Sequence, residues 1–448
     1  MTAKHEKRKW IARGSWVVAD QGFFALANVL LNVLLARWLG TDEYGAFAVA
    51  YSCFLFIGAF HTALLTEPLL VFGSGKYANQ PRWYLRTLLR GHWGLTGIGS
   101  LLLIVAAIVL HFYGATLLAR ALFGLSLVTP FSLLMWLGRR AAYLRFQPRL
   151  ATIASAAYLV LTLAGLLALA GLHVLSIFSA MAALSVASAV TGFWLLRSVL
   201  RPMAYEESDA PLMPVVADHW RYGRWAFATA LLMWVPLNFF FVVLSVLVNF
   251  EASAALKAIS NLVLPLLQTN AALGALLLPA MVVRARNRER FKKLLRLSLA
   301  LFAAGAVFYS VVVGLFSSGL VHLLYGGRYD SQTNLLRPLL LIPILDGAMI
   351  VLASALRALE RPDRVFWAQL AVAIFVLTVG VGATQLSGLR GAAGAIVFAD
   401  LLGTIILGVG VLALLQHRDV RQTSVCRAWP SEEAAETGRQ TKVCRTFS

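Results

Sequence analysis

Twelve long apolar runs constrain the fold of this chain more than any other feature of its sequence. Each is long enough for a membrane-spanning helix, which needs about 20 mostly apolar residues. Only 13% of the 448 residues are charged, against about 25% in soluble proteins. These observations exclude an ordinary soluble enzyme, a disordered regulator and a secreted disulfide scaffold. The predicted spans are 14–36, 44–72, 91–112, 115–137, 150–170, 174–196, 225–248, 254–283, 297–317, 335–356, 365–385 and 391–415.

The distribution of Lys and Arg agrees with this count of helices. Of the 39 Lys and Arg residues, 33 fall in the N-terminus, in every second connection and in the C-terminus. Under the positive-inside rule, these segments and both chain ends are cytoplasmic. The formal net charge of +19 therefore reflects topology, and nucleic acid is not a predicted partner. The basic segments are 1–13, 73–90, 138–149, 197–224, 284–296, 357–364 and 417–448.

The spans divide into two halves of six helices. Similar patterns open the first and seventh helices, Gly14-Ser15-Trp16 and Gly223-Arg224-Trp225. They favour a parallel repeat whose axis lies along the membrane normal. The tail is polar and unpatterned, which is typical of disorder. The predicted organisation is an N-terminal lobe over 1–200, a cytoplasmic linker over 201–222, a C-terminal lobe over 223–416 and a disordered cytoplasmic tail over 417–448.

Polar residues within the spans are the candidates for function, because ionisable groups at bilayer depth are costly and usually face a cavity. Asp20, Asn28 and Asn32 lie roughly on one helical face, which fits either a cavity lining or pairing with a neighbouring helix. Asp346 and Asp400 lie near mid-membrane and are predicted to take part in ion coupling. The other predicted cavity residues are Arg120, Asn238, Lys257, Asn261 and Gln268.

No sequence pattern indicates catalysis. The three cysteines have no metal-ligand spacing. The segment Gly73-Ser74-Gly75-Lys76 lacks the remaining residues of a phosphate-binding loop. The sequence therefore predicts a protein that is not an enzyme and that binds neither metal nor cofactor.

Two short motifs carry a family resemblance. Residues 36–45 read A-R-W-L-G-T-D-E-Y-G. Gly40 suits the end of one helix, and Thr41 or Asp42 suits the start of the next. Residues 324–329 read L-Y-G-G-R-Y. Together with the twelve spans, these motifs resemble the polysaccharide-unit flippases of the Wzx type, within the multidrug/oligosaccharidyl-lipid/polysaccharide exporter superfamily. The resemblance covers about residues 10–416.

This resemblance implies an all-α polytopic protein with about twelve transmembrane helices in two six-helix lobes around a central cavity. It implies a transporter of the bacterial inner membrane that flips an undecaprenyl-diphosphate-linked oligosaccharide for O-antigen, capsule or exopolysaccharide biosynthesis. A proton or sodium gradient is the implied energy source. Membrane lipids, a polysaccharide polymerase and glycosyltransferases are the implied partners. Two alternatives stay open: a multidrug antiporter of the same fold, and a membrane-embedded glycan polymerase or ligase.

Overall fold

The computed structural model describes residues 3–201, 203, 212–285 and 287–427, and this part of the chain is helical throughout and contains no β-strand. Within these residues the first lobe contains seven α-helices, with a π-helical segment, Thr62–Thr66, between α2 and α3. These helices are α1 (Ala3–Trp38), α2 (Thr41–His61), α3 (Glu67–Gly73), α4 (Pro81–Phe112), α5 (Thr116–Leu144), α6 (Pro148–Gly171) and α7 (Ile177–Leu200).

The second lobe contains nine α-helices in its described residues. A 3₁₀ segment, Asp330–Leu335, precedes α13, and a π-helical segment, Val376–Gly380, follows α15. The helices are α8 (Leu212–Leu247), α9 (Phe250–Ser260), α10 (Leu264–Arg284), α11 (Arg288–Leu315), α12 (Ser317–Tyr325), α13 (Leu336–Leu339), α14 (Ile342–Ala358), α15 (Pro362–Phe375) and α16 (Val381–Arg427).

By length and composition, the helices of the described residues account for up to about twelve membrane spans. Ten are long and apolar enough to cross a membrane, and the bent pair Met213–Pro236 and Asn238–Leu247 makes an eleventh. One of the ten, Pro362–Gln416, has 55 residues, which is about 80 Å of helix and far more than the roughly 30 Å hydrocarbon core. Gly388 breaks it with φ 54° and ψ −131°, a region that favours glycine. Counting its two parts separately gives twelve.

Several predicted boundaries are corrected by the structure. The span predicted over 254–283 is two helices, because α9 ends at Ser260 and α10 begins at Leu264, next to Pro265. Part of the predicted linker is helical, since α8 begins at Leu212; residues 202 and 204–211 of that linker lie outside the described residues. Helix α16 continues through Arg427 into the predicted disordered tail, and residues 428–448 also lie outside.

The helices pack into two lobes, and some helices of each lobe also contact the other lobe. In the first lobe, α1 packs against α6, and α5 packs against α4 and α7. In the second, α14 packs against α10, α11 and α16. Helix α8 is bent by 51° next to Pro236, as a helix-interior proline often causes. It contacts α2, α3 and the first π segment as well as α9, α15 and α16.

Candidate functional site

The candidate site lies between the lobes and has two ends. The end that carries the basic segments 73–90, 138–149 and 284–296 is called the basic side, and the opposite end is called the far side.

At the far side the two lobes are held together by reciprocal hydrogen bonds. Arg37, in the last turn of α1, donates to the carbonyl oxygen of Leu323 at 2.9 Å. Arg328 donates in the other direction, to the carbonyl oxygen of Leu39. The two motifs at 36–45 and 324–329 therefore meet in space, although nearly 290 residues separate these partners.

Buried tyrosines and a close helix approach complete this far-side contact. Asn261 donates to the Tyr44 hydroxyl at 3.0 Å, and the Tyr325 hydroxyl donates to the carbonyl oxygen of Ala258 at 2.7 Å. A Cβ at Gly45 would collide with the backbone of Phe250. Glycine at 45 is thus required for α2 to approach α9 this closely, and the contact closes the far side.

Lys257 lies beneath the far-side contact without an acidic partner among the described residues. Its side chain is buried. The Nζ atom lies 4.5 Å from the ring centroid of Tyr51, in the first lobe, and 5.1 Å from that of Phe241, in the second. These cation–π contacts replace an ion pair. Lys257 therefore contacts both lobes, next to a cavity that Tyr51 lines.

Three adjoining cavities run from the basic side into the first lobe. The innermost, the first-lobe cavity, has a volume of about 240 Å³ and is lined mainly by aromatic and aliphatic side chains. Asn28 lines it from α1, and Gln268 lines it from the second lobe. Trp136 and Leu55 also line the next cavity, the connecting cavity, which has a similar volume.

The outermost, the basic-side cavity, is the largest of the three at about 760 Å³. It shares Glu67, Ala226 and Ala230 with the connecting cavity. Its walls include Arg221 and Trp225 of α8 together with other side chains of α3, α8 and α14. The other lining residues are Phe72, Asp218, Tyr222, Thr229, Met233 and Arg357. Two guanidinium groups, those of Arg221 and Arg357, thus border an opening between the lobes.

A second set of hydrogen bonds joins the lobes beside the basic-side cavity. Asp218 of α8 accepts hydrogen bonds from Lys76 at 2.6 Å and from Tyr77 at 2.7 Å. His219 donates from Nδ1 to the carbonyl oxygen of Leu64 at 2.6 Å, and its Nε2 lies 2.7 Å from the Tyr84 hydroxyl. The hydrogen bond with Asp218 raises the pKa of Lys76. We call this group the basic-side contact.

The π-helical segment between α2 and α3 provides the backbone carbonyl that accepts the hydrogen bond from His219. Residues Thr62–Thr66 make wider turns than an α-helix, and such segments disturb the regular carbonyl-to-amide pairing. Leu64 lies in the middle of this segment, and its carbonyl accepts from the opposite lobe. A Cβ at Gly223 would lie 2.7 Å from the neighbouring Ala63 carbonyl oxygen. The segment therefore fits against α8 at a glycine.

Asp20 lines none of the three cavities, and of its two predicted roles the structure shows pairing with a neighbouring helix. It is fully buried and forms a two-point ion pair with Arg139 of α5, at 3.2 Å to Nε and 2.7 Å to Nη2. Tyr143 and Ser155 also donate to its carboxylate. A carboxylate this deep needs a countercharge and saturated hydrogen bonding, and α5 and α6 provide both. Pairing with a neighbouring helix is the outcome for Asp20.

The other predicted polar residues have different surroundings. Arg120 is exposed near the beginning of α5 and lines none of the three cavities, which corrects its assignment to the substrate cavity. Asn32 is buried and donates to the Asn28 carbonyl at 2.8 Å. Asn238 is buried beside the bend of α8, with the Trp234 carbonyl at 3.4 Å. Asn261 belongs to the far-side contact. Of the predicted cavity residues, only Asn28 and Gln268 line the first-lobe cavity.

Asp346 and Asp400 are brought together within the second lobe. Asn270 of α10 donates to Asp346 Oδ2 at 3.0 Å and to the carbonyl oxygen of Pro343 at 2.9 Å. Asp400 is buried, and its carboxylate interacts electrostatically with that of Asp346. No ion pair with a basic side chain reaches either carboxylate within the part of the chain that the structure describes. The described part of the chain contains no cluster of three or more His, Cys, Asp or Glu side chains that could bind a metal ion.

Sequence reasoning missed two features of this region. In the sequence, Arg221 and Arg357 contributed only to the positive-inside distribution of Lys and Arg. In the structure, both border the basic-side cavity. The spacing of Arg221, Tyr222 and Trp225 on one helix was an available signal. His61 and His92 form a buried pair, with Nε2 to Nδ1 at 3.0 Å. Their separation in sequence gives no sign of this contact.

Comparison with known proteins gives the fold. No protein-family model matches the chain, and no curated protein matches it. Solved structures do match it. An inward-facing multidrug resistance MATE family transporter of the MOP superfamily superposes with a TM-score of 0.73 at 12% identity, over 90% of this chain and 98% of that one.

Two further structures are similar. Lipid II flippase MurJ in an inward closed conformation has a TM-score of 0.68 at 15% identity, over 88% of this chain and 87% of that one. The MATE multidrug transporter DinF-BH, solved in complex with a ligand, has a TM-score of 0.66 at 17% identity, over 90% and 95%. The chain therefore has the fold of MOP-superfamily transporters.

Proposed function

We propose that the protein is a transporter that flips a lipid-linked oligosaccharide across the bacterial inner membrane by alternating access between its lobes. The observation that carries the proposal is the row of three adjoining cavities, open at the basic side and ending under the closed far-side contact. With the basic side in the cytoplasm, this arrangement is an inward-open one. The fold it shares with MurJ, described as a lipid II flippase, supports a lipid-linked substrate.

The basic-side cavity has the chemistry that a diphosphate headgroup requires. The guanidinium groups of Arg221 and Arg357 line it from different helices. Arg binds phosphate oxygens through paired N–H donors. The aromatic side chains of Tyr222 and Trp225 line the same cavity, and such faces suit the apolar faces of sugars. We assign the headgroup of the substrate to this cavity, for biosynthesis of a surface polysaccharide alongside glycosyltransferases and a polymerase.

The energy source in this proposal is a proton or sodium gradient, and the coupling ion binds at Asp346 and Asp400. Their two carboxylates lie together without a basic partner among the described residues, and Asn270 adds an amide. A cation would relieve the repulsion between the carboxylates and favour one packing of α14 against α16. No cofactor is part of the proposal.

Flipping in reconstituted vesicles tests this function. The assay measures transfer of an undecaprenyl-diphosphate-linked oligosaccharide to the outer leaflet, with Arg221→Gln/Arg357→Gln compared with Arg224→Gln, a residue of α8 that does not line the cavity. We expect at least about a tenfold loss for the double variant, since two charge-assisted hydrogen bonds are removed, and wild-type flipping for the control. Equal flipping by both variants would contradict the assignment.

A multidrug antiporter is the second candidate. The first-lobe cavity favours it, because six aromatic side chains line it, among them Phe24, Tyr51, Phe54 and Trp136. The multidrug transporter DinF-BH, whose structure is that of a ligand complex, has the same fold. Efflux of a lipophilic cationic dye from cells, with no flipping in the vesicle assay, would favour this candidate over the first.

A further inference from the structure

Helix α11 carries three basic side chains on the surface that faces outward from the bundle. Arg290, Lys293 and Arg296 are exposed and together line a surface groove of about 510 Å³. The one acidic residue at this groove, among the described residues, is Glu289, which pairs with Lys292 at 3.5 Å. No ion pair joins the three cations to an acid within the described part of the chain.

The same face of α11 continues as an apolar stripe. Starting at Arg290 and Lys293, steps of three and four residues keep to one side of a helix. Leu297, Leu301 and Phe308 on this stripe are 53%, 62% and 73% exposed. No other helix of the described chain covers them, so they face the acyl chains of the bilayer. The stripe ends with Val311 and Leu315.

The stripe from Leu297 to Leu315 rises about 27 Å, close to the whole hydrocarbon core, and its half nearest the cations matches one leaflet. From Leu297 to Phe308 the helix rises about 16 Å, which is about half of the hydrocarbon core. The cations therefore lie where the phosphate of a lipid on the basic side would lie, with its acyl chains along the stripe. The positive-inside rule accounts for the number of cations at this end of α11. It does not account for three cations that line one groove, lack an acidic partner in the described residues and adjoin an exposed apolar face.

We propose that Arg290, Lys293 and Arg296, with the stripe below them, form a binding site for one anionic phospholipid of the leaflet on the basic side. The headgroup phosphate binds the three cations, and the acyl chains pack on Leu297, Leu301 and Phe308. The site lies on the outer surface of the second lobe. It is separate from the basic-side cavity and does not depend on the transported substrate.

Native mass spectrometry of the full-length protein in mild detergent tests the proposal. Phosphatidylglycerol is the anionic probe and phosphatidylethanolamine is the zwitterionic one. We expect Arg290→Gln/Lys293→Gln/Arg296→Gln to weaken phosphatidylglycerol binding about tenfold or more, with phosphatidylethanolamine binding unchanged. The matched control, Arg145→Gln/Arg197→Gln/Arg201→Gln, removes three exposed cations from other helix ends on the basic side and should bind as the wild type does.

Other outcomes would overturn the site. Equal phosphatidylglycerol binding by the wild type and the α11 triple variant would show that the cations hold no lipid. An equal loss in both triple variants would show a response to net charge alone. Undecaprenyl phosphate that displaces phosphatidylglycerol at a lower concentration than phosphatidylglycerol itself would make the occupant a polyprenyl lipid. If the triple variant does not fold, the single variants at 290, 293 and 296 must each weaken binding.

Discussion

Arg37 and Arg328 reach across the lobes in opposite directions, each donating to a backbone carbonyl of the other lobe. Each carbonyl lies beside the end of a helix, where some carbonyl groups lack an intrahelical partner. Each guanidinium therefore satisfies a helix end that belongs to its opposite lobe. The two sequence motifs that carry the family resemblance therefore form the two sides of the far-side contact.

The first prediction concerns the fit at the far-side contact. We expect Gly45→Ala to push α2 away from α9, because its Cβ would meet the Phe250 backbone. Gly40→Ala is the matched control, since a Cβ there meets nothing within 4 Å. Labelling of a cysteine at Leu39 by a membrane-impermeant maleimide from the far side should increase several-fold with Gly45→Ala only. Equal labelling in both backgrounds would show that the contact tolerates the methyl group.

The second prediction concerns the buried pair of Asp20 and Arg139. Asp20→Asn leaves a buried guanidinium without its countercharge and should lower the free energy of unfolding by about 3–5 kcal/mol. The double variant Asp20→Asn/Arg139→Gln should recover part of this loss, as a double-mutant cycle in detergent would measure. Gln21→Ala, at an exposed neighbour, should have little effect. A stable Asp20→Asn variant would argue against the pair as a structural element.

The third prediction concerns pH at the basic-side contact. The hydrogen bond with Asp218 raises the pKa of Lys76 above its ordinary value of 10.5. Because the pKa of this basic group is raised, its contribution to the stability of the fold is complete below pH 10.5. That contribution is lost only as the pH rises through the raised pKa. The effect of Lys76→Gln on the unfolding temperature should therefore be constant between about pH 6 and 9.

The salt concentration should change the effect of Lys76→Gln on the unfolding temperature. Lys76 is exposed, so its pair with Asp218 is screened by solvent and ions and contributes little. We expect the difference between the wild type and Lys76→Gln to shrink as the salt concentration rises. A difference that changes between about pH 6 and 9 but not with salt would contradict this account.

The fourth prediction concerns ion coupling at Asp346 and Asp400. Asp346→Asn and Asp400→Asn keep the shape of each carboxylate and remove its charge. We expect each variant to insert normally and to lose the dependence of transport on an imposed proton or sodium gradient. Asp363→Asn is the control, because Asp363 is exposed in the first turn of α15 and pairs with Arg361. Gradient-dependent transport in the double variant would assign both carboxylates a structural role.

The fifth prediction concerns orientation. Reporter fusions within 139–149 and 285–295 should give cytoplasmic signals, because these segments carry Arg and Lys residues at helix ends. A fusion at His173, between α6 and α7, is the matched periplasmic control. A periplasmic signal from 285–295 would reverse the second lobe.

The sequence predicted what depends on residues near one another in the chain. Apolar runs of about 20 residues indicate spanning helices because hydrocarbon leaves backbone groups no other partner, and the all-helical fold is confirmed. The partner of Asp20 is 119 residues away, so helical periodicity could place Asp20 on a face but could not choose what covers that face. The same limit applies to Arg221 and Arg357, whose shared cavity exists only in three dimensions. The break at 261–263 precedes Pro265 and separates α10 from α9, which packs against α2 of the other lobe.

The contacts exchanged by α1 and α8 have a genetic consequence. Helix α1 touches α9, α10 and α12 of the second lobe, and α8 touches α2 and α3 of the first. The opening helix of each half therefore completes the other half. Gly223 packs against the π-helical segment Thr62–Thr66. A destabilising substitution in this segment should therefore be compensated by a second substitution near Gly223, and not by substitutions elsewhere in the first lobe.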